Sequence, residues 1–152
     1  MQSRFIRVFK RSFTFKPLYT ANVTSTGGRS GKSVSSDGLL NIELSLPKAL
    51  GGKEDKTNPE QLFAAGYSAC FIGAMGVAAG QLKLKLDPKS TVNALVHIGS
   101  GEKGGFMLKT ELRVHIPGLS KEDATKVVEQ AHMICPYSVA TRGALEVKLT
   151  VI

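Results

Sequence analysis

Residues 58–71, NPEQLFAAGYSACF, open a long run of small apolar residues around which the rest of the chain is organised. Asn58 is a good helix N-cap, Pro59 suits the first helical position, and Gln61 can reach back towards the cap. Hardly any polar side chain follows until about Gln81. The pattern predicts a helix from Pro59 to about Gln81 that is buried on nearly every side.

A membrane-spanning helix is the competing interpretation, because residues 62–80 are almost uncharged and about long enough to cross a bilayer. The run is built from Ala and Gly rather than from Leu, Ile and Val, and no aromatic belt flanks it. Gly76 and Gly80 have the small-xxx-small spacing that lets two helices touch backbone to backbone. Since strands elsewhere in the chain can cover such a helix, we predict a buried helix and no transmembrane segment.

Composition limits the classes of protein that the chain can belong to. Its 152 residues, 42% of them hydrophobic, suffice for one domain with a real core. Cys70 and Cys135 are too few for a disulfide scaffold and lack the CxxC spacing of metal ribbons and thioredoxins. Three histidines, His97, His115 and His132, form no ligand cluster with them in the sequence, so no metal site is expected.

The positive charge is concentrated at the amino terminus. The chain has a formal net charge of +8, and residues 1–16 hold five basic side chains and no acid, which leaves +3 for the remainder. This charge distribution argues against nucleic-acid binding by the folded part. The Arg-rich, Ser- and Phe-containing leader is typical of a mitochondrial transit peptide, which would place a single domain, 17–152, in the mitochondrial matrix. A disordered basic tail or a membrane-surface anchor is the alternative, and the protein would then be cytoplasmic.

Alternating and periodic patterns outline the remaining elements. A second helix is predicted from its cap at Ser120 to Cys135, where Pro136 ends it. Alternation predicts six strands: 18–23, 32–36, 39–46, 92–98, 106–116 and 145–151. The order β-β-β-α-β-β-α-β has no doubly wound alternation, so we predict an α+β fold with antiparallel sheet around a buried helix.

Two cysteines and one arginine are the candidates for chemistry. Cys70 lies within the small-residue helix, and Cys135 ends the second helix. A thiol that reacts with peroxides must be ionised near neutral pH, whereas burial among apolar groups raises its pKa, so a nearby cation is required. Arg29, on the glycine-rich turn 24–31, is the natural candidate. The alternatives are two inert buried thiols and an exposed loop charge.

Three separated motifs resemble the organic hydroperoxide resistance proteins (Ohr) of the OsmC/Ohr superfamily. They are residues 58–71, the turn GGRSG at 27–31, and CPYS at 135–138 followed by ATRG at 140–143. The resemblance extends from about Leu18 to the carboxyl terminus. It implies an intertwined homodimer in which antiparallel sheets wrap around two long central helices.

The resemblance also implies residue roles and an activity. Cys70 would be the peroxidatic thiol and Cys135 the resolving thiol, with Arg29 and Glu60 tuning the site. The implied activity is reduction of alkyl and fatty-acid hydroperoxides to alcohols, with no bound cofactor and an external lipoyl-type dithiol, on a lipoylated protein, as reductant. A dimeric module that binds an apolar ligand without catalysis is the alternative.

An apolar substrate pocket is expected beside these residues. Its predicted lining is Phe63, Phe71, Met75 and Phe106. The sequence departs from the family pattern after the second cysteine, with Val139 and Ala144 where asparagines are common. This departure affects the expected geometry of the resolving loop more than the chemistry.

Helix geometry separates two of the candidate residues. Ten helical residues place Glu60 about 15 Å from Cys70 along the axis. Glu60 could act through Arg29, the helix could break near Gly66, or the carboxylate could belong to the partner chain's site. We favour the first alternative, in which Glu60 binds the guanidinium of Arg29 in a bidentate pair while Arg29 faces the sulfur.

Overall fold

The structure is a computed structural model that describes residues 15–101 and 104–152. Residues 1–14 of the predicted leader lie outside the described residues, as do 102 and 103 of the predicted turn between strands. The strands are β1 (Val23–Thr26), β2 (Lys32–Ser35), β3 (Asn41–Glu43), β4 (Thr91–Ser100), β5 (Phe106–His115) and β6 (Glu146–Val151). The helices are α1 (Pro59–Gln81), α2 (Lys121–Ile134) and α3 (Pro136–Thr141).

Helix α1 has the bounds that the sequence predicts. The side chain of Asn58 accepts a hydrogen bond from the backbone N–H of Gln61 at 2.9 Å, and Pro59 is the first helical residue. The carboxylate of Glu60 lies in the first turn, where the helix dipole favours negative charge. The predicted start and end of the helix are therefore confirmed.

Strands β1, β2 and β3 form an antiparallel sheet in the order β1-β2-β3. The predicted first strand, 18–23, is wrong, because pairing with β2 begins only at Val23, opposite Ser35. Before Val23, the carbonyl of Asn22 accepts one backbone hydrogen bond from Ser36 at 2.9 Å, but residues 18–22 belong to no strand of the described chain, because alternation alone does not make a strand. Asp37 and Gly38 form the predicted turn between β2 and β3, with a left-handed φ of 76° at Gly38.

Strands β4, β5 and β6 form the second sheet in that order. β4 and β5 are an antiparallel pair whose register runs from Thr91 opposite His115 to Ser100 opposite Phe106. β6 is parallel to β5, whereas the sequence predicted antiparallel sheet throughout. The reason is the connection: α2 and α3 lie between the two strands and return the chain to the same end of the sheet.

Pro136 has two roles at the end of α2. Ser120 caps α2 as predicted, since its side chain accepts a hydrogen bond from the backbone N–H of Asp123 at 3.1 Å. Cys135 is both the last cap of α2 and the first cap of α3. Pro136 therefore ends one helix and occupies the first position of the next, a short helix that the sequence analysis missed.

The core lies between one face of α1, the second sheet and α2. It contains Tyr67, Phe71 and Met75 from α1 with Leu112 and Val127. The prediction that α1 is buried on nearly every side is wrong for the single chain, since only 33% of its most apolar 18-residue window is buried. By length and composition α1 alone among the described helices could cross a membrane, a test that core helices of soluble proteins also pass.

The exposed side of α1 is a stripe of small residues. We call it the small-residue stripe and define it as Ala65, Ala69, Gly73, Gly76, Val77 and Gly80. A methyl group added to Gly73, Gly76 or Gly80 would meet nothing within 4 Å. The helix is apolar all round because this stripe and the core face are both apolar.

The first sheet stands apart from the core. Its three strands contact mainly each other, whereas α1, α2 and the second sheet pack together. All four residues of β1 are exposed, and so are the large side chains of Phe15, Leu18, Tyr19 and Leu39. The first sheet with residues 15–22 is thus an arm with exposed apolar side chains.

Candidate active site

The fold brings the two cysteines into contact, although 65 residues separate them in the chain. The Sγ atoms of Cys70 and Cys135 are 3.7 Å apart, and both residues are free thiols. Cys70 is partly accessible, whereas Cys135 is fully buried. Closing a disulfide of about 2.05 Å would move the sulfurs together by about 1.7 Å, a shift that side-chain rotation and small backbone adjustments can supply.

Helix α3 is attached to α1 next to the thiols. The hydroxyl groups of Tyr67 and Ser138 form a buried hydrogen bond of 2.8 Å. The ring of Tyr137 stacks on that of Tyr67, with centroids 5.6 Å apart, and it also packs against Phe63 at 6.1 Å. In the sequence, Tyr67, Tyr137 and Ser138 are distinguished only as members of the two motifs that contain Cys70 and Cys135.

The surroundings of Cys70 disfavour its thiolate. Burial raises the pKa of the Cys70 thiol above its ordinary value, and the neighbouring Cys135 thiol adds to the rise. The backbone N–H of Tyr137 acts in the opposite direction and lowers that pKa. Within the described chain, the groups that shift the pKa of Cys70 include no basic side chain.

Arg29 and Glu60 form a bidentate ion pair. Nη1 of Arg29 donates to Oε2 of Glu60 at 2.9 Å, and Nη2 donates to Oε1 at 2.5 Å. The Arg29 hydrogen bonds hold the pKa of Glu60 below its ordinary value, and the same contact raises the pKa of Arg29. The Glu60 side chain is only 12% exposed, whereas that of Arg29 is 38% exposed, so solvent reaches the pair mainly from the Arg29 side.

Glycines shape the turn that presents Arg29. Gly27 and Gly28 have φ values of 72° and 59°, in the left-handed region that favours glycine. A Cβ atom on Gly31 would lie 1.8 Å from the carbonyl oxygen of Thr26. The sequence GGRSG is therefore needed for the tight 3-10 turn Gly28–Ser30 that carries the guanidinium to α1.

The ion pair is formed, but it lies apart from the Cys70 thiol of the same chain. Helix α1 is continuous from Pro59 to Gln81, so it does not break near Gly66 and Glu60 remains about 15 Å from Cys70 along the axis. The Glu60 side chain leans towards the helix N-terminus, away from Cys70. The expectation that Arg29 faces the sulfur is not met within one chain.

Two of the four predicted pocket residues line a common cavity. Phe63 and Phe106 line a cavity of about 380 Å³ that also borders α3 and the residues just before the start of β6. Its other lining residues are Met107, Leu108, Ala140, Thr141, Ala144 and Leu145. Phe71 and Met75 have no exposed surface and belong to the core, so their assignment to a pocket is wrong. Both side chains lie on the face of α1 that packs on the second sheet and α2, which periodicity alone does not distinguish from a pocket-lining face.

Metal ligation has no support in the geometry. In residues 15–101 and 104–152, no three side chains of His, Cys, Asp or Glu are close enough together to hold a metal ion. Burial lowers the pKa of His132, and its Nδ1 is a buried atom without a hydrogen-bond partner in the described structure.

Comparison with known proteins gives a consistent result. Residues 52–150 match the sequence profile of the family described as OsmC-like protein. The chain is 54% identical over 136 residues to an organic hydroperoxide resistance protein of Xanthomonas axonopodis pv. citri, covering 89% of this chain and 95% of the relative. It is 44% identical over 133 residues to the organic hydroperoxide resistance protein OhrB of Bacillus subtilis, covering 87% and 96%.

Solved structures agree with this similarity. The crystal structure of an organic hydroperoxide resistance protein from Elizabethkingia anophelis superposes with a TM-score of 0.84 at 51% sequence identity. The superposition covers 90% of this chain and 98% of that structure. The α+β fold, with its central helix and two sheets, is thus shared with these proteins.

Proposed function

Because the chain belongs to the organic hydroperoxide resistance proteins of the OsmC-like family, we propose that it is a thiol peroxidase that reduces organic hydroperoxides to alcohols. The observation that supports this proposal most directly is the 3.7 Å contact between the two free thiols. One thiol is accessible to a substrate and the other is enclosed behind it, which is the arrangement that a peroxidatic and a resolving cysteine need.

The reaction begins at Cys70. Its thiolate attacks the outer oxygen of the hydroperoxide, the O–O bond breaks, and the inner oxygen takes a proton and leaves as an alcohol. Cys70 is oxidised by two electrons to a sulfenic acid. The Cys135 sulfur then attacks the Cys70 sulfur, the S–O bond breaks, water leaves, and a disulfide remains.

An external dithiol completes the cycle. It donates two electrons and two protons to the Cys70–Cys135 disulfide by thiol–disulfide exchange and becomes a cyclic disulfide itself. We propose a lipoyl-type dithiol carried by a lipoylated protein, as the family resemblance implies. No bound cofactor takes part in this scheme.

The protein acts as a homodimer in this proposal. The small-residue stripe on α1 is apolar and free to approach a second α1, and the arm formed by β1–β3 has exposed apolar side chains that a partner subunit can cover. In this dimer the small-residue stripes of the two α1 helices pack against each other, and the arm of each subunit packs on the partner subunit.

A dimer also supplies the missing cation. The Arg29–Glu60 pair lies about three helical turns from Cys70 in its own chain, whereas the burial of Cys70 calls for a positive charge nearby. We propose that the pair of one subunit faces the partner's Cys70, where Glu60 fixes the guanidinium and the guanidinium favours the thiolate. This is the third of the alternatives that helix geometry left open.

The apolar cavity bounded by Phe63 and Phe106 is proposed to bind the substrate tail. Its lining is aromatic and aliphatic with one hydroxyl group, from Thr141. Such a lining favours alkyl and fatty-acid hydroperoxides over hydrogen peroxide, because only the former gain from removal of apolar surface from water.

Stopped-flow kinetics tests the proposed activity. The wild-type protein is mixed with tert-butyl hydroperoxide and, separately, with hydrogen peroxide, and intact mass spectrometry follows loss of two hydrogen atoms on formation of the Cys70–Cys135 bond. We expect faster reaction with the alkyl hydroperoxide and no reaction in Cys70→Ser. Turnover that persists in Cys70→Ser would contradict the mechanism.

The same variant separates catalysis from simple ligand binding. If the protein only binds an apolar ligand, Cys70→Ser and wild type will bind it equally and neither will consume hydroperoxide.

For the location, we propose mitochondrial import directed by residues 1–16, with cytoplasmic residence if the leader does not act as a transit peptide. Fusion of residues 1–16 to a fluorescent protein distinguishes the two.

A further inference from the structure

We infer that Gly66 is a positioning residue of the two-thiol site, because it forms the seat on α1 in which the ring of Tyr137 lies and thereby holds the start of α3 against Cys70. The inference deepens the proposed function and rests on it for its catalytic meaning. Its structural content, however, can be measured without any peroxide.

The contact at Gly66 leaves no room for a side chain while the Tyr137 ring stays where it is. A Cβ atom built there would lie 2.8 Å from Oη of Tyr137, 3.3 Å from Cζ and 3.6 Å from Cε1. Glycine is unfavourable in a helix interior relative to alanine, so this position calls for a local reason. Gly73, Gly76 and Gly80 on the same helix would meet nothing within 4 Å. Gly66 is thus set apart from the small-residue stripe by a ring that occupies the space of its missing methyl group.

The ring in this seat is held by aromatic neighbours as well. Tyr137 stacks on Tyr67 with ring planes at 29° and tilts against Phe63 at 59°. Gly66 and Tyr67 follow Phe63 by three and four residues. Residues at these spacings share one face of a helix, so the three are neighbours on the surface of α1. The Tyr137 ring therefore rests on one contiguous patch of α1.

The next residue of α3 is anchored at the next residue of α1. Ser138 shares its buried hydrogen bond with Tyr67, so residues 137 and 138 contact residues 66 and 67 in the same order. Cys70 lies one helical turn beyond Gly66, and Cys135 lies two residues before Tyr137. These two short spacings place the sulfur atoms 3.7 Å apart.

The position of Tyr137 has an electrostatic consequence at Cys70. The backbone N–H of Tyr137 is the group in the described chain that opposes the rise of the Cys70 pKa. A shift of α3 away from α1 would withdraw this donor and carry the Cys135 sulfur with it. Both the ionisation of Cys70 and the closure of the disulfide therefore depend on the seat.

Gly66→Ala tests the seat through two readouts that need no hydroperoxide. In a Cys135→Ser background, the pH dependence of Cys70 alkylation by iodoacetamide should move to higher pH, with a rate at pH 7 reduced about threefold or more. With both cysteines present, oxidation of the thiols by diamide should form the Cys70–Cys135 disulfide more slowly than in wild type. An unchanged alkylation profile and disulfide rate would overturn the inference.

Tyr137→Phe provides the rescue that a general loss of stability would not give. It removes Oη, the atom nearest to the added methyl group, so Gly66→Ala/Tyr137→Phe should recover most of the alkylation and disulfide rates. Tyr137→Phe alone keeps the ring and its contacts with Tyr67 and Phe63, and its alkylation and disulfide rates are the reference for the double variant. Failure of the double variant to recover would also overturn the inference.

Two further comparisons complete the test. If Gly66→Ala does not fold, Tyr137→Ala removes the ring from Gly66 without adding a clash. This variant should also raise the midpoint pH of Cys70 alkylation. An unchanged midpoint pH refutes the inference. If wild type does not reduce tert-butyl hydroperoxide but Gly66→Ala still shifts the alkylation profile, the proposed function fails and the positioning role of Gly66 stands. If wild type reduces tert-butyl hydroperoxide but Gly66→Ala and Tyr137→Ala leave the alkylation profile unchanged, the proposed function stands and the positioning role of Gly66 fails.

Discussion

Cys70 lies among groups that keep its thiol protonated, and the cation that we propose to oppose them, Arg29, is paired with Glu60 at the other end of the same helix segment. Burial is the largest cause of the raised pKa, and the adjacent Cys135 thiol adds to it. The Arg29 guanidinium is held in a fixed orientation by both oxygens of Glu60. A preoriented guanidinium loses little side-chain entropy when it meets an anion, so the ion pair is suited to act on a thiolate that comes from elsewhere.

Glu60→Gln tests the contribution of this ion pair. Glutamine keeps the shape of the side chain but removes the charge, so we expect kcat/KM for tert-butyl hydroperoxide to fall about tenfold, as loss of one charge-assisted hydrogen bond predicts. The free energy of unfolding should change by less than about 1 kcal/mol, since the Arg29 side chain is 38% exposed and solvent screens the pair. Steady-state kinetics and urea unfolding at pH 7 measure the two effects.

Glu111→Gln is a matched control for that variant. Glu111 also pairs with an arginine, Arg113 on β5, and hydrogen bonds from Arg113 and Thr150 hold its pKa at about 2. Glu111 and Arg113 flank the core residue Leu112 on β5, so their side chains lie on the opposite face of the sheet from the core that contains Cys135, and loss of the pair should leave kcat/KM unchanged. Equal losses of activity in both variants would contradict a specific role of Glu60.

The pH dependence of the Arg29–Glu60 pair follows from the sign of the shift. Arg29 lowers the pKa of Glu60 in the folded state, so the stability that the pair contributes is fully present above the unfolded pKa of Glu, about 4.3, and is lost as the pH falls through the lower folded value. We therefore expect no contribution of Glu60 titration to the pH dependence of activity between pH 6 and 8.

At the level of elements, α1 combines a strong start signal with two apolar faces. Asn58 is buried and caps the helix, and Pro59 begins it. The helix carries both Cys70 and the seat for Tyr137, so fraying of its first turn would move Glu60 before it moved the thiols. The first turn of α1 and the cysteine region are about 15 Å apart and can be perturbed separately.

Asn58→Ala tests the start of α1. Loss of the hydrogen bond from the Gln61 N–H should lower the free energy of unfolding by about 1 kcal/mol, while Asn58→Asp, which keeps an acceptor at the cap, should stay close to wild type. Urea unfolding followed by circular dichroism measures both variants. Equal stability of Asn58→Ala and wild type would mean that the cap contributes nothing.

At the level of the whole molecule, the single chain leaves two apolar surfaces uncovered. One is the small-residue stripe of α1, and the other belongs to the arm that contains β1–β3. A chain of this size buries its apolar helix against something, and two copies of the same stripe are complementary because small residues allow close backbone approach. The homodimer of the proposed function would cover both surfaces.

Gly73→Glu tests the proposed interface. A methyl group at Gly73 would meet nothing within 4 Å in the single chain, so the folded subunit tolerates a side chain there, whereas two facing α1 helices would not tolerate two buried carboxylates. We expect the mass measured by light scattering after size exclusion to fall from that of two chains to that of one, with loss of peroxidase activity.

Lys121→Glu, at the exposed first position of α2, introduces the same side chain outside the small-residue stripe and should leave the mass unchanged. A Gly73→Glu protein that keeps the mass of two chains would exclude the small-residue stripe as the interface. A wild-type protein with the mass of one chain would exclude the homodimer altogether.

Sequence alone determined the features that depend on neighbouring residues. The start of α1 followed from its cap and from Pro59, and its end followed from the end of the apolar run. The cap of α2 followed from Ser120, and the turn at Asp37 and Gly38 followed from local backbone preferences. The candidate thiols and the candidate cation were identified because the motifs around them are short and contiguous.

Tertiary structure alone decided the features that depend on distant residues meeting. The parallel pairing of β6 with β5, the burial of Phe71 and Met75 in the core, and the seat of Tyr137 on Gly66 each join segments far apart in the chain. Local periodicity specifies which face of an element is apolar but not what covers it. For the same physical reason, the small-residue stripe of α1 is uncovered in the single chain although its residues are apolar.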